Sequence, residues 1–308
     1  MPFPIYAKTP PLKQHNGPVH VVTYNNTGQY ILSGGQDKQI ILWNPNSSKL
    51  IKAYQGHGYE VLDISVSHDN AKFVSCGGDR AVFLWDVTTG SITRRLQGHT
   101  SRVNAVDFNF DASIVASAAY DTTVRLWDLK STSQKPIQVL EEARDSVSSV
   151  QISGYQIITG SVDGYVRVYD LRKGQLQEDL VGYPVTSIRD STDSATLLVS
   201  SLDNKIRLFD KSNGSLLQSF TGHTNSEYRI RSCFGDNDIY IISGSENGKI
   251  YAWELLSGRV VHELLAPAGG TAGGEKSKNV VSCVAYHPKR AQMISCSTLG
   301  VIQVWDSE

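Results

Sequence analysis

GHGYEVLDISVSHDNAKFVSCGGDRAVFLWD, residues 56–86, decides the fold. It holds a Gly-His pair, two alternating apolar runs, a Gly-Gly-Asp turn and a third run ending in Trp85-Asp86. Alternation of apolar and polar residues is the pattern of a strand, and the glycine-rich breaks between runs are turns. The same order of signals returns 42 residues later as GHTSRVNAVDFNFDASIVASAAYDTTVRLWD, residues 98–128. A chain that repeats itself at this interval builds its fold from copies of one small unit.

The aromatic residue closing the third run measures the period. It falls at Trp43, Trp85, Trp127, Tyr169, Phe209, Trp253 and Trp305, at intervals of 42, 42, 42, 40, 44 and 52. Each unit holds four short strand-like runs. A four-stranded sheet of that size cannot bury both faces alone, so neighbours must stack on it around an axis. Seven copies therefore predict a closed all-β ring. The last copy stops after its third run, while TPPLKQHNGPV at 9–19 aligns with KAYQGHGYEV at 52–61, where a fourth run leads into a first. The N-terminal strand near 9–15, around Leu12, is thus expected to complete the seventh sheet. Pro10 and Pro11 suit an outer edge strand, which can spare ladder donors.

Through Gly56-His57, Asp79, Trp85-Asp86 and their counterparts, the chain resembles the WD-repeat β-propeller family. The resemblance covers residues 1–308 and implies one seven-bladed propeller, blade 7 being about 281–306 plus the N-terminal strand. Turns between third and fourth strands read DVTTGS, DLRKGQ, DKSNGS and ELLSGR, each with a Gly where a short hairpin needs positive φ. APAGGTAGGEKSKN at 266–279 accounts for the 52-residue interval. Its composition predicts a flexible loop on the face that carries the Gly-His turns.

With 29 basic and 30 acidic residues, the net charge of −1 disfavours broad electrostatic binding to nucleic acid or anionic membrane. No apolar run reaches membrane-spanning length and the N-terminus lacks an apolar signal core, so the chain reads as soluble and unsecreted. The four cysteines, Cys76, Cys233, Cys283 and Cys296, form no Cys-x-x-Cys pair. They read as buried thiols in a reducing compartment.

His57, Ser75, Asp79 and Trp85 have the composition of a Ser-His-Asp catalytic set. The quartet recurs as His15, Ser33, Asp37, Trp43 and as His99, Ser117, Asp121, Trp127. An active site needs no copying at a 42-residue period, so the expected role is a buried hydrogen-bond chain from turn Asp through His and Ser to the indole. By resemblance, these are the family's structural tetrads. Blades 4 to 7 depart from the pattern: Ala143 and Tyr169, Val181 and Phe209, Asn247 in place of Asp, then Ser277 and Leu299. The tetrads thus read as eroded from blade 4 onward, through drift or through loop shapes specific to a partner.

Other catalytic signals fail. GGTAGGEKS at 269–277 shares the composition of a phosphate loop, but Glu275 interrupts Gly-Lys-Ser and no strand-to-helix context exists. No nucleophile elbow, zincin motif or metal-ligand cluster is present. Neither enzyme activity nor a cofactor is expected. The candidate partner-binding face carries the Gly-His and Asp turns: Tyr59, Glu60, Arg80, Arg102, Tyr120, Arg144, Asp145, Tyr183, Glu227, Tyr228 and Arg229. Tyr and Arg dominate this set, and they are the residues of interface hot spots.

GHGYEVLD at 56–63, EARDSVSSV at 142–150, GSVDGYVRVYDLRKGQL at 160–176, LVSSLDNKIRL at 198–208 and GHTNSEY at 222–228 resemble the mitogen-activated protein kinase organiser branch of the family, which is also associated with the spliceosome. The resemblance implies a scaffold, monomeric as a propeller within a larger complex, in nucleus and cytoplasm. Its partners would be splicing factors, with kinase-cascade components as an alternative. Recruitment of substrates to a ubiquitin ligase is a third use of the fold.

Overall fold

The computed structural model describes residues 3–8, 10–268 and 278–307. Residues 269–277, and with them most of the expected flexible loop at 266–279, lie outside the described residues. Apolar alternation along each unit becomes seven four-stranded antiparallel sheets, each ordered from the axis outward. Blade 2 shows the plan: Val61–Val66, Lys72–Gly77, Ala81–Asp86 and Ile92–Gln97 pair in sequence, the last edge facing solvent. Burial tracks position. All six residues of the inner strand Gln292–Ser297 are buried, whereas those of the outer strand Val260–Leu265 are exposed or half-buried.

Each hydrophobic cluster spans two neighbouring blades. Val21, Leu32 and Leu42 of blade 1 pack with Val61, Phe73 and Trp85 of blade 2, all buried. Burying apolar surface from both faces contributes roughly 25 cal/mol per Å², and only stacking of a blade on each side collects it. The ring therefore closes or leaves two faces wet.

Closure uses the N-terminal segment. Tyr6–Ala7 pairs with Ile302–Asp306 as the fourth strand of blade 7, with Tyr6 opposite Asp306 and Ala7 opposite Trp305. The expected position near 9–15 needs correction, because the regular ladder lies earlier. Leu12 forms an isolated bridge to Ile302, exchanging backbone hydrogen bonds of 2.8 and 3.2 Å. Between these two pairings lie four residues, 8–11, on the N-terminal side and two, 303 and 304, on the partner strand, and Pro10 and Pro11, which have no N–H to donate, fall in that bulge. Phe3 adds a second latch. It is buried between blades 6 and 7, stacked on His262 at 4.6 Å and edge-on to Tyr240 at 5.1 Å.

The innermost strand of each sheet lines the channel, where its outward backbone groups have no strand to pair with. Side chains from the adjacent blade satisfy them. Six blades carry a bulge at the second residue of this strand. Three of those residues reach the next blade's leading carbonyl: Asn104 to Val147 at 2.8 Å, Ser148 to Val185 at 2.6 Å and Ser282 to Val19 at 2.7 Å. Lower in the channel, Asp63 accepts from the Val106 amide, Asp107 from Ile152 and Gln151 from Asp190.

Blade 6 departs from this pattern by reaching across. Arg231 donates to Asp63 at 2.5 Å and to the Leu62 carbonyl at 2.9 Å, while Arg229 donates to the Asn104 carbonyl at 2.7 Å. These are contacts between blade 6 and blades 2 and 3 on the far wall. Burial works against the Arg231 charge, but Asp63 outweighs it and raises the pKa. Removing one member of a buried pair leaves the other uncompensated. Asp63→Ala is therefore expected to cost about 3–5 kcal/mol, read as a lowered denaturant midpoint. A loss below about 1 kcal/mol would show that the channel staple carries no weight.

Candidate interaction face

In blades 1 to 3 the repeated quartet closes into a chain. His57 Nδ1–H donates to Asp79 at 2.5 Å, Ser75 donates to His57 Nε2 at 2.7 Å, and the Trp85 indole donates to the Ser75 hydroxyl at 2.8 Å. His15, Ser33, Asp37 and Trp43 repeat this at 2.9, 2.7 and 2.8 Å, and His99, Ser117, Asp121 and Trp127 at 3.0, 2.8 and 2.8 Å. Each Asp also accepts the amide of the residue after the His: Asn16, Gly58 and Thr100. The chain thus ties two turns of one face to the core. Burial pushes the Asp37, Asp79 and Asp121 carboxyls up, but the His donors and these amides outweigh it and hold all three below the usual range.

The equivalent turns of all seven blades, whether or not a tetrad holds them, share a backbone conformation. Lys38, Arg80, Thr122, Gly164, Asn204, Gly248 and Gly300, one per blade, all have φ between 59° and 83°. Only three are glycine. Side chains such as Arg80 are therefore projected from a strained but braced position.

On this face Tyr59, Arg80, Arg102, Tyr120, Arg144, Asp145, Tyr183, Glu227 and Tyr228 are exposed. Glu60 is half-buried, 3.4 Å from His20 at the channel mouth. Arg229 is placed differently from the sequence expectation: its guanidinium points down the channel to blades 3 and 5 and is not offered to a partner on this face. Three tyrosines carry a cation over the ring: Arg102 on Tyr120 at 5.1 Å, Arg207 on Tyr183 at 5.9 Å and Lys278 on Tyr228 at 5.6 Å. Arg207 and Lys278 were not singled out by the sequence, because pairing over a ring across a turn has no fixed spacing.

The model of the IFT122 first β-propeller matches residues 18–306. WD repeat domain-containing protein 83 of Rattus norvegicus is 51% identical over 95% of this chain and 89% of its own length. An uncharacterized WD repeat-containing protein of Schizosaccharomyces pombe is 55% identical over 81% and 84%, and the Dictyostelium discoideum homolog of WD repeat domain-containing protein 83 is 32% identical over 96% of both. The chain belongs to the WD-repeat β-propeller family. Members of this family are generally non-catalytic protein-interaction scaffolds, and the relatives' names say nothing narrower.

The departures from the WD-repeat tetrad in blades 4 and 5 are replacements, which corrects the reading of erosion. In blade 4 the buried Arg167 donates to Ser161 at 2.8 Å, to Asp163 at 3.0 Å and to Glu178 at 2.7 Å, and Tyr169 donates to Glu142 at 3.0 Å. Asp163 still accepts the amide of the next loop, from Arg144 at 2.9 Å. Blade 5 repeats the arrangement with Arg207, Ser201 and Asp203. An arginine two residues before the closing aromatic supplies the donors that His and Trp supply elsewhere. The signal was present as Ser-x-Asp-x-x-x-Arg in SVDGYVR and SLDNKIR.

Blade 6 is organised by Glu246, which the sequence reading missed. Its buried carboxylate accepts the amides of Ser226, Glu227 and Tyr228 at 2.6, 2.7 and 3.2 Å and the Lys278 ammonium at 2.9 Å. Burial pushes this carboxyl up, yet these donors hold it at about 2. His223 is buried with neither ring nitrogen hydrogen-bonded among the described residues, and Trp253 donates to the Thr221 carbonyl. In blade 7 Trp305 keeps its bond to Ser295 at 2.9 Å, Leu299 stands in the Asp position, and Ser277 lies outside the described residues.

Two outcomes follow from these networks. Ser75→Ala strands both His57 and Trp85 and should cost about 2–4 kcal/mol by chemical denaturation; near-neutrality would mean the tetrad is not a unit. Burial lowers the His223 pKa from 6.5 to about 4. The unfolded chain therefore binds this proton first, so the stability held above pH 6.5 is lost as pH falls toward 4. His223→Phe should flatten stability over that window by a few kcal/mol relative to wild type, measured as denaturant midpoints at pH 7 and 4.5.

Proposed function

We propose that this propeller is an adaptor in pre-mRNA splicing complexes, present in nucleus and cytoplasm, whose tetrad face holds a partner protein. The observation that carries the reading of the face is the set of exposed tyrosines with cations over their rings, two of them, Tyr120 and Tyr228, mounted on loops that the Asp121 and Glu246 carboxylates brace. Such groups present large amphipathic area with little conformational entropy left to lose on binding. The near-neutral charge favours protein partners over direct contact with RNA or membrane. The splicing role rests on the resemblance of the stretches at 56–63, 142–150, 160–176, 198–208 and 222–228.

Scaffolding of a kinase cascade is the second reading, supported by the same stretches, and both roles are compatible in one adaptor. The test is affinity purification with nuclease treatment and mass spectrometry, comparing wild type with Tyr59→Ala/Arg102→Ala/Tyr228→Ala. Splicing proteins should copurify with wild type and fall by roughly tenfold or more in the folded triple variant. Retention by the variant would remove the face from the proposal. Recovery of kinases or ligase subunits instead would remove the splicing assignment.

A further inference from the structure

The cross-channel arginines divide the axis. Against Arg229 and Arg231 lies a cavity of about 280 Å³ whose lining reaches Asn26, His68 and Phe110 on the face opposite the tetrads. Its carboxylates are already engaged. Asp63 holds Arg231 and the Ile64 and Val106 amides, and Asp107 accepts from Ser65 at 2.9 Å and from the Ile152 amide. Asp190, next to the mouth, holds Lys211 with both oxygens at 2.9 Å.

Arg189 is the exception. It is exposed at the bottom of the innermost strand Val185–Asp190 and lines the cavity; its charge favours the Asp107 carboxylate from a distance, but it makes no hydrogen bond or ion pair with any described residue. At the same mouth Phe110 is 77% exposed, its ring 4.4 Å from that of His68. A guanidinium with no hydrogen-bond partner on the cavity wall and an uncovered aromatic pair at the rim are complementary to one carboxylate with an apolar neighbour. A phosphate, with more than one charge, would face Asp63 and Asp107 on the same walls and is the poorer fit.

We propose that this cavity docks an acidic peptide segment of a partner protein. One Asp or Glu side chain enters the channel to pair with Arg189, and an adjacent apolar residue rests on Phe110 and His68. The site is separate from the tetrad face and does not depend on what that face binds.

The test uses the purified full-length protein on an array of immobilised peptides. Each has a central Glu or Asp between Leu or Phe neighbours, alongside its Gln or Asn counterpart. Wild type should retain the acidic members roughly tenfold or more over their amides, the scale of a charge-assisted hydrogen bond. Arg189→Ala should abolish the preference in a protein that still folds, as read by its circular dichroism, because the only loss inside the fold is the electrostatic support that Arg189 gives the buried Asp107 carboxylate. Arg189→Glu should move it to peptides with a central Lys, and Phe110→Ala should weaken acidic peptides only where their neighbours are apolar. Equal retention of acid and amide, or a preference that survives Arg189→Ala, overturns the proposal. So does displacement of the peptides by inorganic phosphate at concentrations where acetate has no effect, which would make this a phosphate site.

Discussion

A four-stranded sheet with two apolar faces has nowhere to put the second one except against another copy of itself. That constraint governs everything else in this molecule. Clusters such as Val21, Leu32, Val61, Phe73 and Trp85 belong to two blades at once, so no blade has a core of its own. The bond from Ser282 to the Val19 carbonyl, and its counterparts from Asn104 and Ser148, are the polar side of the same arrangement. They satisfy inner-edge backbone groups that no strand can reach. Closure through Tyr6–Ala7, Leu12 and Phe3 removes the two faces that an open array would leave wet.

The loops of the tetrad face are fixed by buried polar chains, and the protein uses more than one chemistry for the purpose. Blades 1 to 3 use His and Trp around a serine. Blades 4 and 5 place a guanidinium in the equivalent space, where its forked donors serve a serine and a carboxylate together. Blade 6 inverts the logic, with the buried Glu246 collecting backbone amides from the loop at 226–228. Common to all is a buried charged or polar group that ties loop to core through several hydrogen bonds, although His223 in blade 6 is left without a hydrogen bond among the described residues. Different residues serve this end in blades 1 to 6, so their turns are tied to the core while carrying distinct side chains. A scaffold face gains specificity from that combination.

The channel is not a uniform tube. Arg229 and Arg231 cross it from blade 6, the blade whose inner strand lacks the bulge found in the other six. Where the others hand a short side chain to the next blade, this one spans to the opposite wall. The staple adds a tie across the ring that neighbour-to-neighbour packing cannot supply, and it makes the two ends of the axis chemically different.

The repeat, the number of blades, the strand order and the first three tetrads, down to residues such as His57 and Trp85, are legible in the amino-acid order alone. All of these recur at a fixed interval, and recurrence is visible without coordinates. It also held the Ser-x-Asp-x-x-x-Arg signal of blades 4 and 5, which is legible once a buried arginine is considered as a substitute for histidine. The features legible only in the folded ring occur once each and pair distant residues. The Arg231–Asp63 and Arg229–Asn104 contacts join residues 168 and 125 positions apart, and nothing local encodes which wall a side chain will reach. The placement of Tyr6–Ala7 ahead of the two prolines and the cations over Tyr120, Tyr183 and Tyr228 belong to the same class. Periodicity specifies what each unit shares with the next. The features that make one blade unlike another arise only when the ring closes and brings unrelated positions face to face.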